Sequence, residues 1–500
     1  MSNLSELLPS GGGQNVRSFT ASGTITNGQL VGLRADGKVE AITATSEAAT
    51  TEANFASTSL WTGANQSTLA SVYDVNADRV VHFYASTTST QYCTGVVSTP
   101  TASGLTNFGT PVVINTSDSD FIAAAYNVAS QKSVVGYRDG GASNYGRCCV
   151  ITVDPSDNSL TFGTENNFTQ SSSQGFSMTY DSTNEKILIS WMSFTGDIGY
   201  IVTSTITGTN ITFGSRTQFT SGGDVSYWTS CVYEANSNTV TVFYANQNQS
   251  NYLYASVSQV NGTGFQTFTP GLISSSFGVQ NTNIASVADT NSNNIVVFYQ
   301  NANNGDGYAI VGTPSYSGST GNLTTGTPVE FTDTVSSSTA SALSCAFDST
   351  NNQVVVMYRN TADDKPYVNA ITVSGTSMTV ANEFNLTATK GLATELLFVP
   401  TITKFVASFI EEPSPYYGKY VIYNVASDNI SSFIGLAGQA ISDTATGNID
   451  MLGGINSQQT SLTIASKYYI QSNGTLGTTS TSTFVGQAVS GTTLNIRDAT

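Results

Sequence analysis

The sequence predicts an all-β protein: a seven-bladed β-propeller inserted into a small β-rich domain built from both chain ends. Three observations lead to this fold class. A strand-pair pattern recurs seven times between residues 71 and 410, the composition suits rigid β structure, and a second, shorter pattern is shared by the two ends of the chain. Together they indicate one repeated β domain enclosed in sequence by a smaller one.

The repeated unit is a strand, a polar turn and a strongly apolar second strand. Its copies are SVYDVNADRVVHFY (71–84), AAYNVASQKSVVGY (124–137), MTYDSTNEKILISW (178–191), CVYEANSNTVTVFY (231–244), SVADTNSNNIVVFY (286–299), CAFDSTNNQVVVMY (345–358) and the weaker LLFVPTITKFVASF (396–409). Successive copies lie 53, 54, 53, 55, 59 and 51 residues apart. A strand-built period of about 50 residues is typical of propeller blades, and a closed ring leaves no long exposed sheet edge.

Each repeat continues with a loop rich in Gly, Asn and Ser, a third strand and a fourth strand. The fourth strand is predicted to begin near a Phe-Gly-Thr motif, found at 108–110 and 162–164, with looser copies at 213–215 and 265–267. The seventh repeat lacks this motif after Tyr420–Asn424. The segment Ala53–Leu60 is therefore expected to complete the last blade and close the ring.

The composition excludes several function classes. Only 10% of residues are charged, while 24 Tyr and 24 Phe are too many for a disordered chain. The net charge of −17 and the scattering of 16 basic residues argue against nucleic-acid binding, which needs clustered Lys and Arg. The same acidity disfavours anionic membranes, and no stretch approaches the roughly 18 apolar residues of a membrane span.

The start of the chain and its cysteines indicate folding in a cytoplasm. Residues 1–14 (MSNLSELLPSGGGQ) lack the basic start and apolar run of a signal peptide. The five cysteines, an odd number without regular spacing, are a poor disulfide framework and are expected to be reduced.

The two ends of the chain carry a duplicated β unit. Hairpins with Asp-Gly and Asn-Gly turns are predicted at Gln29–Val39 and Lys467–Leu476, and the related stretches FIGLAGQAIS (433–442) and FVGQAVS (484–490) lie downstream of them. The simplest interpretation places the propeller inside the first copy. The predicted domains are a flexible or docking arm (1–19), an anchoring β domain (20–45 plus 433–500) and the propeller (46–432).

These terminal stretches resemble a module of structural proteins from marine tailed bacteriophages. The matching segments are FIGLAGQAISDTATGNI (433–449), LTIASKYYIQSNGTLGTT (462–479) and FVGQAVSGTTLNI (484–496), and the opening MSNLSELLPSGGGQ is also similar. The resemblance is confined to about the first 45 and last 70 residues. It implies a virion component, such as a tail fibre, another tail protein or a capsid-decorating protein, whose terminal module is fixed to the particle.

Residues capable of catalysis are sparse. The one histidine, His82, stands in a core strand where other repeats carry Val, Ile or Ala, which favours a packing role. Carboxylate pairs, the groups that glycoside hydrolases use, occur at Asp118-Asp120, Asp363-Asp364 and Glu411-Glu412, all in apparent loops or turns. Arg138 and Arg359 follow the core strand at the same blade position and could point to one face, but the sequence lacks the repeated box typical of sialidases.

Two further features have both a binding and a structural interpretation. The oxygen-rich segment 303–306 (NNGD) lacks the spacing of a known Ca²⁺ loop. Tyrosines near the start of the third strand in six blades suit glycan or protein contacts, but their regularity favours a packing role. They are Tyr92, Tyr145, Tyr200, Tyr252, Tyr308 and Tyr367.

The sequence therefore predicts a non-enzymatic virion structural protein with no catalytic, cofactor-binding or metal-binding residues. We expect a tail-associated fibre, knob or nozzle-like component whose partners are other virion proteins and a host-surface glycan or receptor. Neither nucleic acid nor membrane insertion is expected, and symmetric positions on the particle favour a homo-oligomer. The alternatives are a capsid decoration protein, a glycan-degrading enzyme on the particle and a carbohydrate-binding lectin.

Overall fold

The chain forms two compact units of almost purely β structure. The computed structural model describes residues 15–34, 36–60, 68–87, 91–333, 335, 343–428, 430–471, 473–481 and 483–497. One unit comprises the described parts of Met1–Ala48 and Val425–Thr500, and the other is Ala49–Asn424. The described helical turns are short 3₁₀ segments, Gly140–Ala142, Gln247–Gln249 and Ile430–Ser432.

The described residues of the larger unit form seven antiparallel sheets of four or five strands, called blades 1 to 7 in chain order, and one separate two-stranded hairpin. In blades 1 to 6 the strands follow in sequence, whereas the last two strands of blade 7 come from the segment before blade 1. Every blade except blade 4 adds a flanking strand that pairs with the third strand. The strands of blade 1 are Leu69–Asp74, Arg79–Ser86, Tyr92–Thr101, Gly104–Thr106 and Val112–Asn115. Those of blade 2 are Ser119–Asn127, Lys132–Asp139, Tyr145–Asp154, Ser159–Phe162 and Asn166–Asn167. Those of blade 3 are Ser173–Asp181, Lys186–Ser193, Ile198–Thr207, Asn210–Phe213 and Thr217–Gln218.

Blades 4 to 7 repeat this plan with small variations. Blade 4 has Val225–Glu234, Thr239–Asn246, Tyr252–Ser258 and Thr269–Ser274, with the hairpin Val260–Asn261 and Gly264–Phe265 between the last two. Blade 5 has Val279–Asp289, Asn294–Asn301, Gly307–Ser317, Thr320–Thr325 and Val329–Thr332, and blade 6 has Leu343–Asp348, Gln353–Arg359, Pro366–Ser374, Ser377–Val380 and Phe384–Asn385. Blade 7 has Lys390–Val399, Lys404–Glu412, Tyr417–Asn424, Ala48–Ala49 and Ala53–Ser59.

The blades form a closed ring. The first strand of each blade contacts the first strand of the next, and that of blade 7 contacts that of blade 1. The apolar residues lie mainly between neighbouring blades. Phe83 and Val97 of blade 1, for example, share one buried cluster with Val135 and Tyr137 of blade 2. This arrangement is a β-propeller, so the predicted all-β propeller class is confirmed.

A segment from the N-terminal side completes the last blade, as the sequence suggested. Ala53–Ser59 pairs antiparallel with Tyr417–Asn424, with Ala53 opposite Tyr420 and Ser59 opposite Tyr417. Phe55, only 4% exposed, lies in a buried cluster with Tyr84 of blade 1 and Tyr420 of blade 7. One segment thus supplies main-chain hydrogen bonds to blade 7 and apolar contacts to both blades at the closing seam.

The Phe-Gly-Thr motif was predicted to begin the fourth strand, and this prediction is wrong. In the structure the motif ends the fourth strand or follows it. Phe162 and Phe213 are the last residues of fourth strands. A Cβ on the next residue, Gly163 or Gly214, would lie 1.7 Å from the carbonyl oxygen of Thr209 or Thr263 in the following blade. The glycine is required because its backbone touches the backbone of the following blade, at a residue far away in sequence.

The acidic residues of the repeated polar turns are structural. Asp74, Asp181, Asp289 and Asp348 end the first strands of four blades and are buried. The carboxylate Oδ1 of Asp181, for instance, accepts the backbone N–H groups of Thr183 and Asn184, each at 2.9 Å. These carboxylates satisfy turn N–H groups that would otherwise have no partner within the sheet.

The smaller unit contains two five-stranded sheets with the same strand order. The first sheet is Val16–Thr20, Thr446–Met451, Phe433–Ala437, Leu30–Leu33 and Val39–Ala41; the second is Ile455–Asn456, Leu494–Ile496, Phe484–Ala488, Lys467–Ile470 and Leu476–Gly477. In chain order the propeller separates the third strand of the first copy from the fourth. This is the order expected if the propeller is inserted into the first of two copies of one β unit.

Local details support the same relation between the two sheets. Both have a β-bulge at the same point, where Ile434 and Val485 are skipped in the pairing with the hairpin strand. A Cβ on Gly435 or Gly486 would lie 2.3 or 2.1 Å from a carbonyl oxygen of the adjacent strand. Equivalent bulges and equivalent close contacts in two sheets are what a duplicated unit would have.

The observed boundaries differ from the predicted ones by a few residues. Val16–Thr20 pairs with Thr446–Met451, so residues 16–19 of the predicted arm belong to a sheet, while its first fourteen residues lie outside the described part. Ala44–Thr45 pairs with Ser427–Asp428, which extends the smaller unit to residue 48 and back to 425. The described part contains no helix long and apolar enough to cross a membrane.

Candidate functional site

The three predicted carboxylate pairs lie at one end of the propeller, which we call the upper face. It is defined by the last residues of the seven second strands: Ser86, Asp139, Ser193, Asn246, Asn301, Arg359 and Glu412. In an antiparallel blade this end also carries the start of the first and third strands. Asp118-Asp120, Asp363-Asp364 and Glu411-Glu412 all belong to these segments, although they are far apart in sequence.

A dense ion-pair network lies on the upper face of blades 6 and 7. Arg359, only 4% exposed, places Nη2 at 2.8 Å from Asp364 and 2.7 Å from Glu412. The carboxylate of Asp364 also lies 3.1 Å from Lys390 Nζ. Because both carboxylates touch the same guanidinium nitrogen, their bonded oxygens are no further apart than the carboxyl groups of a retaining glycoside hydrolase, which are roughly 5–5.5 Å apart.

The neighbouring carboxylates Asp363 and Glu411 also have positively charged partners. Glu411 lies 3.6 Å from Lys419 Nζ, and Asp363 lies 2.9 Å from Lys365 Nζ. The network joins blades 6 and 7, because Arg359 of blade 6 bonds to Glu412 of blade 7.

Arg138 and Arg359 occupy equivalent positions at the ends of second strands, as the sequence indicated. Arg138 donates two hydrogen bonds to the carboxylate of Asp120, at 2.7 and 2.5 Å, and lies over the ring of Phe121. Its charge is thus neutralised within blade 2, while that of Arg359 is neutralised in blades 6 and 7. The two guanidinium groups do not form a joint site for a substrate carboxylate.

His82 is fully buried in blade 1. Its Nε2 lies 2.9 Å from Ser408 Oγ of blade 7, and its ring stacks on Phe55 with centroids 4.2 Å apart. Burial lowers the pKa of His82 to about 3, so the ring is neutral at physiological pH. The imidazole packs in the closing seam, which agrees with the packing role that its core-strand position indicated.

The six predicted tyrosines are all half-buried at the start of third strands, but in two registers. Tyr200, Tyr308 and Tyr367 stand opposite the core aromatic residue of the second strand. Tyr92, Tyr145 and Tyr252 stand two residues before that position. Tyr308 and Tyr367 stack on the core tyrosines of their own blades. Positions two apart share a face of the strand, so all six can combine packing with partial exposure.

The segment 303–306 forms a tight turn with internal hydrogen bonds. Asn301 Oδ1 accepts the N–H of Asn303 at 2.9 Å, and the Asn304 amide donates to the Asp306 carboxylate. In the described residues no group of three or more His, Cys, Asp or Glu side chains is arranged to hold a metal ion. The oxygen atoms of this turn stabilise the turn itself.

All five cysteines are free thiols, four of them buried. Burial raises the pKa of each thiol, strongly for Cys93 and Cys148. Because the thiolate is the reactive form, these cysteines are poor nucleophiles and poor redox centres.

A central channel lies between the seven first strands. It encloses about 230 Å³ and is lined by residues of every blade, mostly small or apolar, together with the hydroxyls of Ser177, Thr229, Ser230, Ser286 and Ser344. Trp228 and Phe176, which lie at β-bulges in blades 4 and 3, are among the lining residues. Bulges commonly redirect side chains.

Glu395 is the one carboxyl group among the residues that line the channel. It accepts the backbone N–H of Ser71 at 3.2 Å, across the seam between blades 7 and 1. Ser177 and Ser344 accept an N–H from the next blade in the same way, so Glu395 replaces a repeated serine. Burial raises the pKa of Glu395 to about 8, which keeps it largely protonated at neutral pH.

The comparisons with known proteins find likeness in fold only. No protein-family model and no curated protein matches the chain. Solved structures similar to it include the fucose-recognising six-bladed propeller lectin of Aleuria aurantia (14% identity, 64% of this chain, 96% of that chain, TM-score 0.41). Others are the Dos1 propeller (10%, 76%, 95%, 0.44) and the polysaccharide lyase Uly1 (9%, 71%, 89%, 0.39). At these identities the assignment as a β-propeller depends on the sheet order described above.

Proposed function

We propose that the protein is a non-enzymatic structural component of a bacteriophage virion. The terminal unit attaches it to the particle, and the propeller is displayed for contacts with other virion proteins or with the host surface. A tail-associated position as fibre, knob or nozzle-like component is our first choice, and capsid decoration is the alternative. Several copies at symmetric positions would act together.

The observation that carries this proposal is the composition of the terminal unit. The stretches that resemble the phage module, 433–449, 462–479 and 484–496, supply most strands of its two matching sheets. The resemblance therefore covers a folded unit with its own buried clusters, including Leu436, Tyr468 and Leu494. A self-contained module can serve as a common attachment piece for different displayed domains.

Exposed apolar side chains in this unit support a docking role. Ile464 is 66% exposed and Val489 53% exposed. They lie close together, because the N–H of Ala465, next to Ile464, bonds to the carbonyl of Ala488, next to Val489, at 2.9 Å. Neighbouring exposed aliphatic side chains are common at protein–protein interfaces.

Locating the protein in purified particles tests the proposal. A reconstruction of the virus encoding this chain should contain density for the propeller, and its position decides between tail and capsid. The double variant Ile464→Asp/Val489→Asp should fold but be incorporated less. Val128→Asp, at an equally exposed apolar side chain of the propeller, is the matched control. Absence of the protein from purified particles would refute the virion role.

A second candidate function is cleavage of host polysaccharide by the particle. The close approach of Asp364 and Glu412 at Arg359 favours it. Purified protein incubated with host polysaccharide should then release reducing ends, and Glu412→Gln or Asp364→Asn should abolish the release. Cleavage with this mutational pattern would replace the non-enzymatic proposal by the enzymatic one.

A further inference from the structure

A glutamate bridges neighbouring blades at three seams of the propeller. Glu165, Glu383 and Glu52 each stand three residues before a buried apolar residue that lies in or directly after a flanking strand: Phe168, Leu386 and Phe55. Each accepts a hydrogen bond from an equivalent side chain of the preceding blade: Asn115 at 3.2 Å, Thr332 at 2.5 Å and Thr387. The three seams therefore share one polar design.

Two of these glutamates have a built-in cation, and the third does not. Arg147 Nη1 lies 3.0 Å from Glu165, and Lys419 Nζ lies 3.9 Å from Glu52. Arg147 and Lys419 stand opposite the final aromatic residue of the core strand, and in blade 6 this position is Tyr367. All sixteen Lys and Arg of the chain lie in the described part, and none of them is within ion-pair distance of Glu383.

A cavity opens at the seam that lacks the cation. It has a volume of about 330 Å³ and lies between blades 5 and 6. Three exposed carboxylates are among its lining residues, those of Glu330, Asp333 and Glu383, while Lys and Arg are absent from the lining. The local charge is therefore negative and uncompensated by any described side chain of the cavity.

The cavity also contains a buried acceptor without a partner. Asn369 is 1% exposed, and its Nδ2 donates to the Ala381 carbonyl at 3.0 Å. Its Oδ1 has no hydrogen-bond partner. The equivalent residues at the other two glutamate seams are the apolar Cys149 and Val421. An orphaned amide oxygen costs stability unless a donor from outside binds it.

We propose that this cavity binds a small organic ligand through a primary ammonium group. The ammonium replaces the cation that Arg147 and Lys419 provide at the other seams, donates to Asn369 Oδ1 and balances Glu383. The hydroxyls of Tyr358 and Thr332 both donate to Oε1 of Glu383, so Oε2 can accept from the ligand. The cavity is larger than a bare ion requires, and the described carboxylates are not grouped to hold a metal. This site concerns the propeller alone and does not depend on the virion role.

Glucosamine is a suitable probe, because it carries an ammonium group on a ring that fits a cavity of this size. Calorimetry below neutral pH and at constant ionic strength should show saturable binding of glucosamine but not of glucose or N-acetylglucosamine. Asn369→Val and Glu383→Gln should each weaken binding about tenfold or more, the value of one charge-assisted hydrogen bond. Glu165→Gln, the same change at a seam with a built-in cation, should leave binding unchanged.

A second variant tests the same idea without depending on a core substitution. Tyr367→Lys installs the cation found at the equivalent position of blade 7, so it should abolish glucosamine binding. Equal binding of glucose and glucosamine would overturn the proposal, as would glucosamine binding that Tyr367→Lys leaves intact. Binding of CaCl2 with no binding of glucosamine would assign the site to a metal and refute the ammonium ligand. Absence of any saturable glucosamine binding would also refute it.

Discussion

Glu395 is expected to make the stability of the propeller depend on pH. Its carboxyl is protonated in the folded channel up to a pKa of about 8, against an ordinary value of 4.5. Between these two values the folded state binds more protons than the unfolded state, so stability falls as pH rises. Below about pH 4.5 both states are protonated, and above about pH 8 both are ionised, so the dependence is confined to this window.

The magnitude follows from the size of the shift. Each pH unit in the window corresponds to about 1.4 kcal/mol, and the full shift to nearly 5 kcal/mol. Because the side chain keeps some exposure to the channel, we expect about 3 kcal/mol to be lost between pH 5 and pH 8. The other ionisable groups that line the channel are the thiols of Cys231 and Cys345, whose pKa values are also raised by burial.

Glu395→Gln isolates this contribution. Glutamine is neutral at every pH and retains an oxygen that can accept the Ser71 N–H. Denaturant unfolding at pH 5 and pH 8 should show the wild type losing about 3 kcal/mol relative to the variant. Glu185→Gln, at an exposed carboxylate of blade 3, is the control and should show no such difference. If the stability difference between wild type and Glu395→Gln is the same at both pH values, the reasoning is wrong.

Three other predictions concern the fold. Gly163→Ala forces a methyl group onto a backbone carbonyl of the next blade and should cost about 2–3 kcal/mol by denaturant unfolding, whereas Gly264→Ala, in open space, should cost far less. Burial lowers the pKa of His82 to about 3, so the contribution of the neutral ring to stability is present above about pH 6.5 and is lost as pH falls toward 3. In His82→Val the free energy of unfolding should therefore fall less steeply between pH 6.5 and pH 3 than in the wild type. An equal fall in both proteins would contradict this. Arg359→Met leaves two carboxylates without their shared cation and should destabilise the protein by about 3 kcal/mol, an effect that Glu412→Gln should partly reverse in the double variant; equal loss in both variants would argue against the network.

The repeat could be predicted from sequence because each blade encodes its own signal locally. A polar turn followed by an apolar strand that ends in an aromatic residue is visible within about fourteen residues, and its spacing implies the ring. The closing segment was also predictable, since the seventh repeat lacks the motif of an outer strand and Ala53–Leu60 lies just before the first repeat. The Phe-Gly-Thr motif was misplaced because its glycine is required by a carbonyl of another blade, such as that of Thr209, about 50 residues away.

The sites were less predictable than the fold. Glu395 and Asn369 lie in strands with many apolar residues, and nothing near them in sequence reveals a partner. The hydrogen bond from Ser71 to Glu395 spans 324 residues. Asn369 is distinctive because the cation of the equivalent seams is replaced by Tyr367 next to it. This difference is recognised only when the equivalent positions of three blades are compared in space.

The order of synthesis bears on the closing strand. Ala53 pairs with Tyr420, so the first propeller segment to leave the ribosome must wait for more than 350 further residues before its partner exists. The first sheet of the smaller unit has the same delay, because Val16 pairs with Asp450. During translation blades 1 to 6 can form in turn, while the strand that joins the ends has an exposed edge. An early stop in translation would therefore leave an open, adhesive arc of sheets rather than a smaller propeller.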